Sequence, residues 1–139
     1  MIKNVKIILI GGSPMSGKST LARKIACKYA MGNISTDDIG EILQINWDIN
    51  PMKEFNYQDY YTKKQIKDLT EEAYEYHKNM VPAILKLIEI HSTWGNPAVI
   101  EGWALYPNMV KGLEKGIKKL WLISDEALLR KRLDDEAQK

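Results

Sequence analysis

The chain predicts an α/β fold, a parallel sheet of about four strands with helices on both faces. Three observations predict it. Short, largely apolar runs at Val5–Ile10, Ala98–Ile100 and Lys118–Ile123 read as buried strands. Segments with apolar residues at helical spacing lie between them, so strands and helices alternate along the chain. Between the first strand and the first helix, Gly12, Gly17, Lys18 and Ser19 fit G-x-x-x-x-G-K-[ST] without a mismatch. In such a sheet the ligand lies at the carboxyl ends of the strands.

The first element, Val5–Ile10, is rich in β-branched residues and suits a strand covered on both sides. After the glycine loop, Leu21, Ala22, Ile25, Ala26 and Tyr29 recur at helical spacing, with Arg23, Lys24 and Lys28 between them. Asn33–Ser35 makes a short second strand, and Thr36 is placed to cap a helix that starts at Asp37 or Asp38 and runs to about Gln44. Asn46–Asn56 reads as a loop broken at Pro51, with Trp47 and Phe55 as anchors. From Tyr57 to about Ile90 the apolar positions keep mostly helical spacing, as one helix or two, with Pro82 the kink or joint. The turn-rich His91–Pro97 precedes the third strand, Ala98–Ile100. Pro107–Lys115 reads as a short helix, Lys118–Ile123 as the fourth strand and Asp125–Ala137 as the final helix.

At 139 residues the chain is sized for one domain with its own core. Its composition, 45% hydrophobic and 27% charged, is that of an ordinary globular protein. No apolar run approaches the roughly 20 residues of a membrane span, and the first strand carries a lysine and runs straight into the glycine loop, so a cytoplasmic protein with no membrane partner is expected. A net charge of +2 is too small to argue for nucleic acid. The single cysteine, Cys27, reads as a small core residue of the first helix.

Each residue type in the glycine loop has a physical reason. Glycines let the backbone turn tightly so that successive N–H groups form an anion nest. Lys18 supplies a point charge for β and γ phosphates, and the Ser19 hydroxyl is a ligand for the Mg²⁺ they carry. Thr20 opens a helix whose dipole adds to the positive field. Gly12, Ser13, Pro14, Met15, Ser16, Gly17, Lys18, Ser19 and Thr20 therefore form the expected cradle for a nucleoside triphosphate.

Several further residues are candidates for chemistry. Asp37 and Asp38 follow the second strand, where a carboxylate can orient or deprotonate an acceptor hydroxyl; helix capping is the plainer account of either. Glu101 ends the third strand, where an acid can hold Mg²⁺ or its water, and Gly102 beside it permits close approach to a ligand. Trp103 and Tyr106 are either walls of a substrate pocket or core plugs. Only Arg23, Arg130 and Arg132 are arginines among 20 basic residues, so at least one of the last two is expected to meet phosphate, and Arg130 is taken as the catalytic candidate. His77 and His91 lack the spacing of metal ligands and read as structural or surface residues.

With the glycine loop, Ile34–Asp38, Val99–Gly102 and Leu122–Glu126 placed in order, the chain resembles the P-loop small-molecule kinases. Among them it is most similar to the 2-phosphoglycerate kinase branch and its polynucleotide-kinase-type and zeta-toxin-type neighbours. The resemblance implies a P-loop NTPase-type sheet and a Mg-ATP-dependent phosphotransferase with ATP bound by residues 12–20. It places Asp37 or Asp38 at the acceptor, Glu101 near the metal or substrate, and 57–91 as a helical insertion covering the substrate. Gly40 and Glu41 stand where such kinases often carry an arginine. The family's arginine-bearing lid and fifth strand would follow a helix like 125–137, so a domain without them is expected. The acceptor is then a hydroxyl of a small metabolite such as a 2-phosphoglycerate-like acid. A nucleoside, a nucleotide-sugar or polynucleotide 5′-hydroxyl acceptor, and a nucleotide-binding module without transferase activity, remain as alternatives.

Overall fold

A computed structural model of the chain describes residues 4–45, 65–113 and 115–138. In chain order these form β1 (Ile7–Gly12), α1 (Lys18–Tyr29), β2 (Gly32–Ser35), α2 (Thr36–Gln44), α3 (Ile66–Thr93), β3 (Ala98–Glu101), β4 (Ile117–Leu122) and α4 (Glu126–Ala137). The four strands make one parallel sheet in the order β2-β3-β1-β4, the α/β architecture that the alternating pattern predicts.

Side chains alternate across β1, and each face has its own cover. Ile7 and Leu9 pack with Ile100 and with Met80, Ile84 and Ile88 of α3, while Ile8 and Ile10 pack with Val99 and with Ala22 and Ala26 of α1. The four-residue spacing on both helices is a single buried stripe. Ala22 and Ala26 own that stripe on α1, which turns the next position, Cys27, to the surface. Cys27 is therefore exposed and not the core residue the sequence suggested.

Register lines up the carboxyl edge. Ile10 of β1 and Ser35 of β2 both lie opposite Glu101 of β3, and Gly12 lies opposite Leu122 of β4. The chain leaves β1 toward β2 on one side and leaves β3 toward β4 on the other, so the connections diverge at the β1–β3 pair. A crevice at such a divergence is where parallel sheets hold ligands.

Two other expectations change, and one that the sequence left open is decided. Thr36 is not the cap of α2; Ser35 is, its Oγ accepting from the Asp37 N–H at 3.2 Å, while Thr36 is fully buried one position further in. Residues 107–112 form turns and not a helix, closed by Met109 N to Tyr106 O at 3.0 Å and ended at Gly112 with φ 86°. Residues 66–93 are one continuous helix with Pro82 inside it, and Met80, Ile84 and Ile88 of its second half are core residues. Pro82 is exposed, so water can take the carbonyl it leaves unpaired. The expected loop at 46–56 and the stretch 57–64 lie outside the described residues. Among the described residues no helix is long and apolar enough to cross a membrane.

Candidate functional site

The loop leaving β1 turns through left-handed backbone at Gly12, Met15 and Gly17, with φ of 135°, 60° and 95°. Gly17 then caps α1 without a side-chain hydrogen bond, and no acid stands in the first turn. The first N–H groups of α1 and the positive end of its dipole thus open into the loop. Residues 15–21, Lys24 and Arg132 line a cavity of about 620 Å³ here, with three cations and no carboxylate among them. Such a lining suits a polyanion.

Lys18, the first residue of α1, is 8% exposed and donates from Nζ to the Ser13 carbonyl at 2.6 Å. Burial lowers its pKa, and the negative charges of Glu101 and Asp37 oppose that shift. Both carboxylates therefore lie near enough to act on the loop lysine. Ser19, on the next position of α1, donates from Oγ to Glu101 Oε1 at 3.1 Å. Glu101 is only 5% exposed. One hydroxyl in the loop remains buried and without a hydrogen-bond partner, Ser16 Oγ.

Asp37 and Asp38 both stand exposed in the first turn of α2. Because Ser35 caps this helix, neither acid is needed for that task, and only Asp37 acts electrostatically on Lys18. The two arginines of α4 separate. Arg130 is exposed and pairs with Glu126 at 2.6 Å, whereas Arg132 turns to the loop and donates from Nη1 to the Met15 carbonyl at 2.5 Å. The structure thus sets Arg132, and not the catalytic candidate Arg130, beside the glycine loop.

Gly102 joins Glu101 to the following loop at φ 154°, where a Cβ would strike the Thr36 hydroxyl. Thr36 Oγ1 is buried and unpartnered, so the glycine's bare Cα is what accommodates it. Gly102→Ala is expected to cost about 2 kcal/mol or more through backbone strain and overpacking. Urea unfolding would show this as a lower midpoint; an unchanged midpoint would mean that β3 ends in a conformation free to relax.

Trp103 and Tyr106 pack around His77 of α3. The His77 and Trp103 rings meet edge to face at 4.9 Å, and His77 Nδ1 lies 3.1 Å from the Tyr106 hydroxyl. Burial pushes the His77 pKa down to about 4, so at neutral pH its imidazole is uncharged and shares one hydrogen bond with the phenol through Nδ1. His91 bonds the Asn96 carbonyl. Both histidines are structural, and among the described residues no group of three or more His, Cys, Asp or Glu is placed to hold a metal.

Sequence reasoning missed Lys24 as a lining cation and the Thr36–Gly102 contact. Lys24 follows Lys18 by six residues on the same helix, a spacing that does not by itself put the two on one face. The Thr36 contact joins residues far apart in the chain and had no local signal. No protein-family model matches the chain, and no curated protein matches it.

Proposed function

We propose that this protein is an ATP-dependent phosphotransferase that moves the γ-phosphoryl of Mg-ATP to the hydroxyl of a small molecule. The observation that carries the reading is the Ser19–Glu101 contact at 3.1 Å beside the buried ammonium of Lys18, at the open N-terminus of α1. A hydroxyl and a carboxylate are hard oxygen donors of the kind Mg²⁺ takes, and this ion is usually held by one or two protein groups with phosphates and water completing its shell. Ser19 and Glu101 fit it. The loop also fits a polyphosphate: the Lys18 ammonium rests on a neutral backbone carbonyl and Ser16 Oγ has no partner, so both can turn to stronger, charged acceptors.

Mg-ATP supplies the phosphoryl group and part of its charge neutralisation when bound. The protein's share is positioning and electrostatics. Lys18 and the α1 N–H groups hold the phosphates, Ser19 and Glu101 hold the metal, and Asp37 or Asp38 orients the acceptor hydroxyl and takes its proton. The resemblance to P-loop small-molecule kinases supports the same reading.

The test is incubation of the purified chain with γ-labelled ATP, Mg²⁺ and a panel of hydroxyl metabolites, nucleosides and 5′-hydroxyl oligonucleotides. Label on a small metabolite supports the proposal; label only on nucleosides or oligonucleotides moves the acceptor to another class. Binding of ATP with no transfer to any of them would leave a nucleotide-binding module. In the same assay, Ser19→Ala is expected to raise the Mg²⁺ concentration for half-maximal rate more than it weakens ATP binding. An unaltered Mg²⁺ titration would remove Ser19 from the metal site.

A further inference from the structure

Three described non-glycine residues have left-handed backbone, Asn4, Met15 and Ala30. Ala30 ends α1, where this conformation commonly terminates helices, and asparagine tolerates it through its short polar side chain. Met15 has neither reason. It sits in the middle of the anion loop, where strain held by the surroundings often belongs to function.

What holds it comes from the other end of the chain. Arg132 Nη1 donates to the Met15 carbonyl at 2.5 Å across a separation of 117 residues. The Met15 carbonyl and the Ser16 N–H belong to one planar trans peptide and point in opposite directions. A guanidinium that fixes the carbonyl on one side therefore fixes the amide on the other. That amide donates to the Ser13 carbonyl at 3.4 Å, the same oxygen that receives Lys18 Nζ at 2.6 Å.

We propose that Arg132 is a positioning residue for the anion cradle. It holds the Met15–Ser16 peptide in its left-handed turn, so that α4 sets the affinity of the loop without its guanidinium being a phosphate ligand. The proposal rests on the reading of this loop as a triphosphate site. Its distinguishing consequence is a dependence on residue 15. Glycine enters left-handed backbone without steric cost, so a loop with Met15→Gly needs no such brace.

The experiment is a double-mutant cycle of Arg132→Ala and Met15→Gly, read by calorimetric titration with ATP. Arg132→Ala alone is expected to weaken ATP binding about tenfold, the scale of a lost charged hydrogen bond. In the Met15→Gly background the same change is expected to cost about twofold or less. An equal loss in both backgrounds would show the guanidinium acting on the nucleotide directly and overturn the proposal, as would no loss in either. Amide hydrogen exchange at Ser16 and Gly17 in the ligand-free protein supplies a second readout. Arg132→Ala is expected to speed it in the parent chain and not with Met15→Gly present. That measurement needs no nucleotide, so it decides the brace even if the parent chain binds no ATP and the phosphotransferase reading fails; an unchanged exchange rate would overturn the brace.

Discussion

Lys18→Ala is expected to abolish phosphoryl transfer and to weaken ATP binding at least tenfold. The ammonium is nearly enclosed, with its Nζ inside the loop on the Ser13 carbonyl, while Lys24 and Arg132 line the cavity around it. Alanine leaves Glu101 and Asp37, whose charges both act on Lys18, facing the phosphates without that cation. Repulsion then replaces attraction at the γ-phosphoryl. Loss of a group that stabilises charge on a transferring phosphoryl is worth roughly 10³-fold or more in rate. Calorimetry and label transfer on folded protein check both parts, and equal ATP affinity in variant and parent would refute the role given to Lys18.

Asp37→Asn is expected to lower turnover by roughly 10²-fold, the scale of a general-base contribution, with ATP affinity changed by less than about threefold. Asparagine keeps shape and hydrogen-bonding reach and removes only the charge. The plainer account of this acid, capping of α2, is already filled by Ser35 Oγ, so what remains for a structural role is the helix dipole, about 0.3–1 kcal/mol. Asp38 serves as the comparison. It stands in the same first turn but is not one of the charges that hold the Lys18 pKa up, and Asp38→Asn is expected to leave turnover within a few-fold of the parent. Two Asn variants that both transfer phosphate at the parental rate would reduce this acidic pair to helix electrostatics.

Local patterns carried much of this structure. The glycine loop is legible because anion cradling needs particular residue types at fixed spacing, and the strand and helix around it are contiguous with it. Strand β3 was legible as an apolar run, and the position of Glu101 at its end followed. What stayed hidden depends on contacts between distant segments. Ser35 and Thr36 are both good caps; the choice was made by the packing of Thr36 against Gly102, which no local pattern reports. Arg130 and Arg132 lie two positions apart, so the sequence said that they occupy different faces of α4 but not which face meets the loop. Residues 107–112 have a helical composition in part, yet Tyr106 receives the Met109 N–H and Gly112 turns left-handed, which closes the segment into turns.

The order of strands in the sheet has a consequence for how the protein comes into being. β1 and β2, made first, are not hydrogen-bonded to each other; both wait for β3, which begins at Ala98 and pairs with each of them. A nascent chain that has displayed the glycine loop, Lys18, Ser19 and Asp37 still has no partner for the strand that anchors them. The same short strand that joins β1 to β2 also delivers Glu101 to Ser19. Closing loops of this length before any sheet contact is gained slows folding relative to a chain of local pairings. The carboxylate therefore arrives in the same step that completes the parallel pairing, and an N-terminal fragment carrying the whole glycine motif lacks both the sheet and the site.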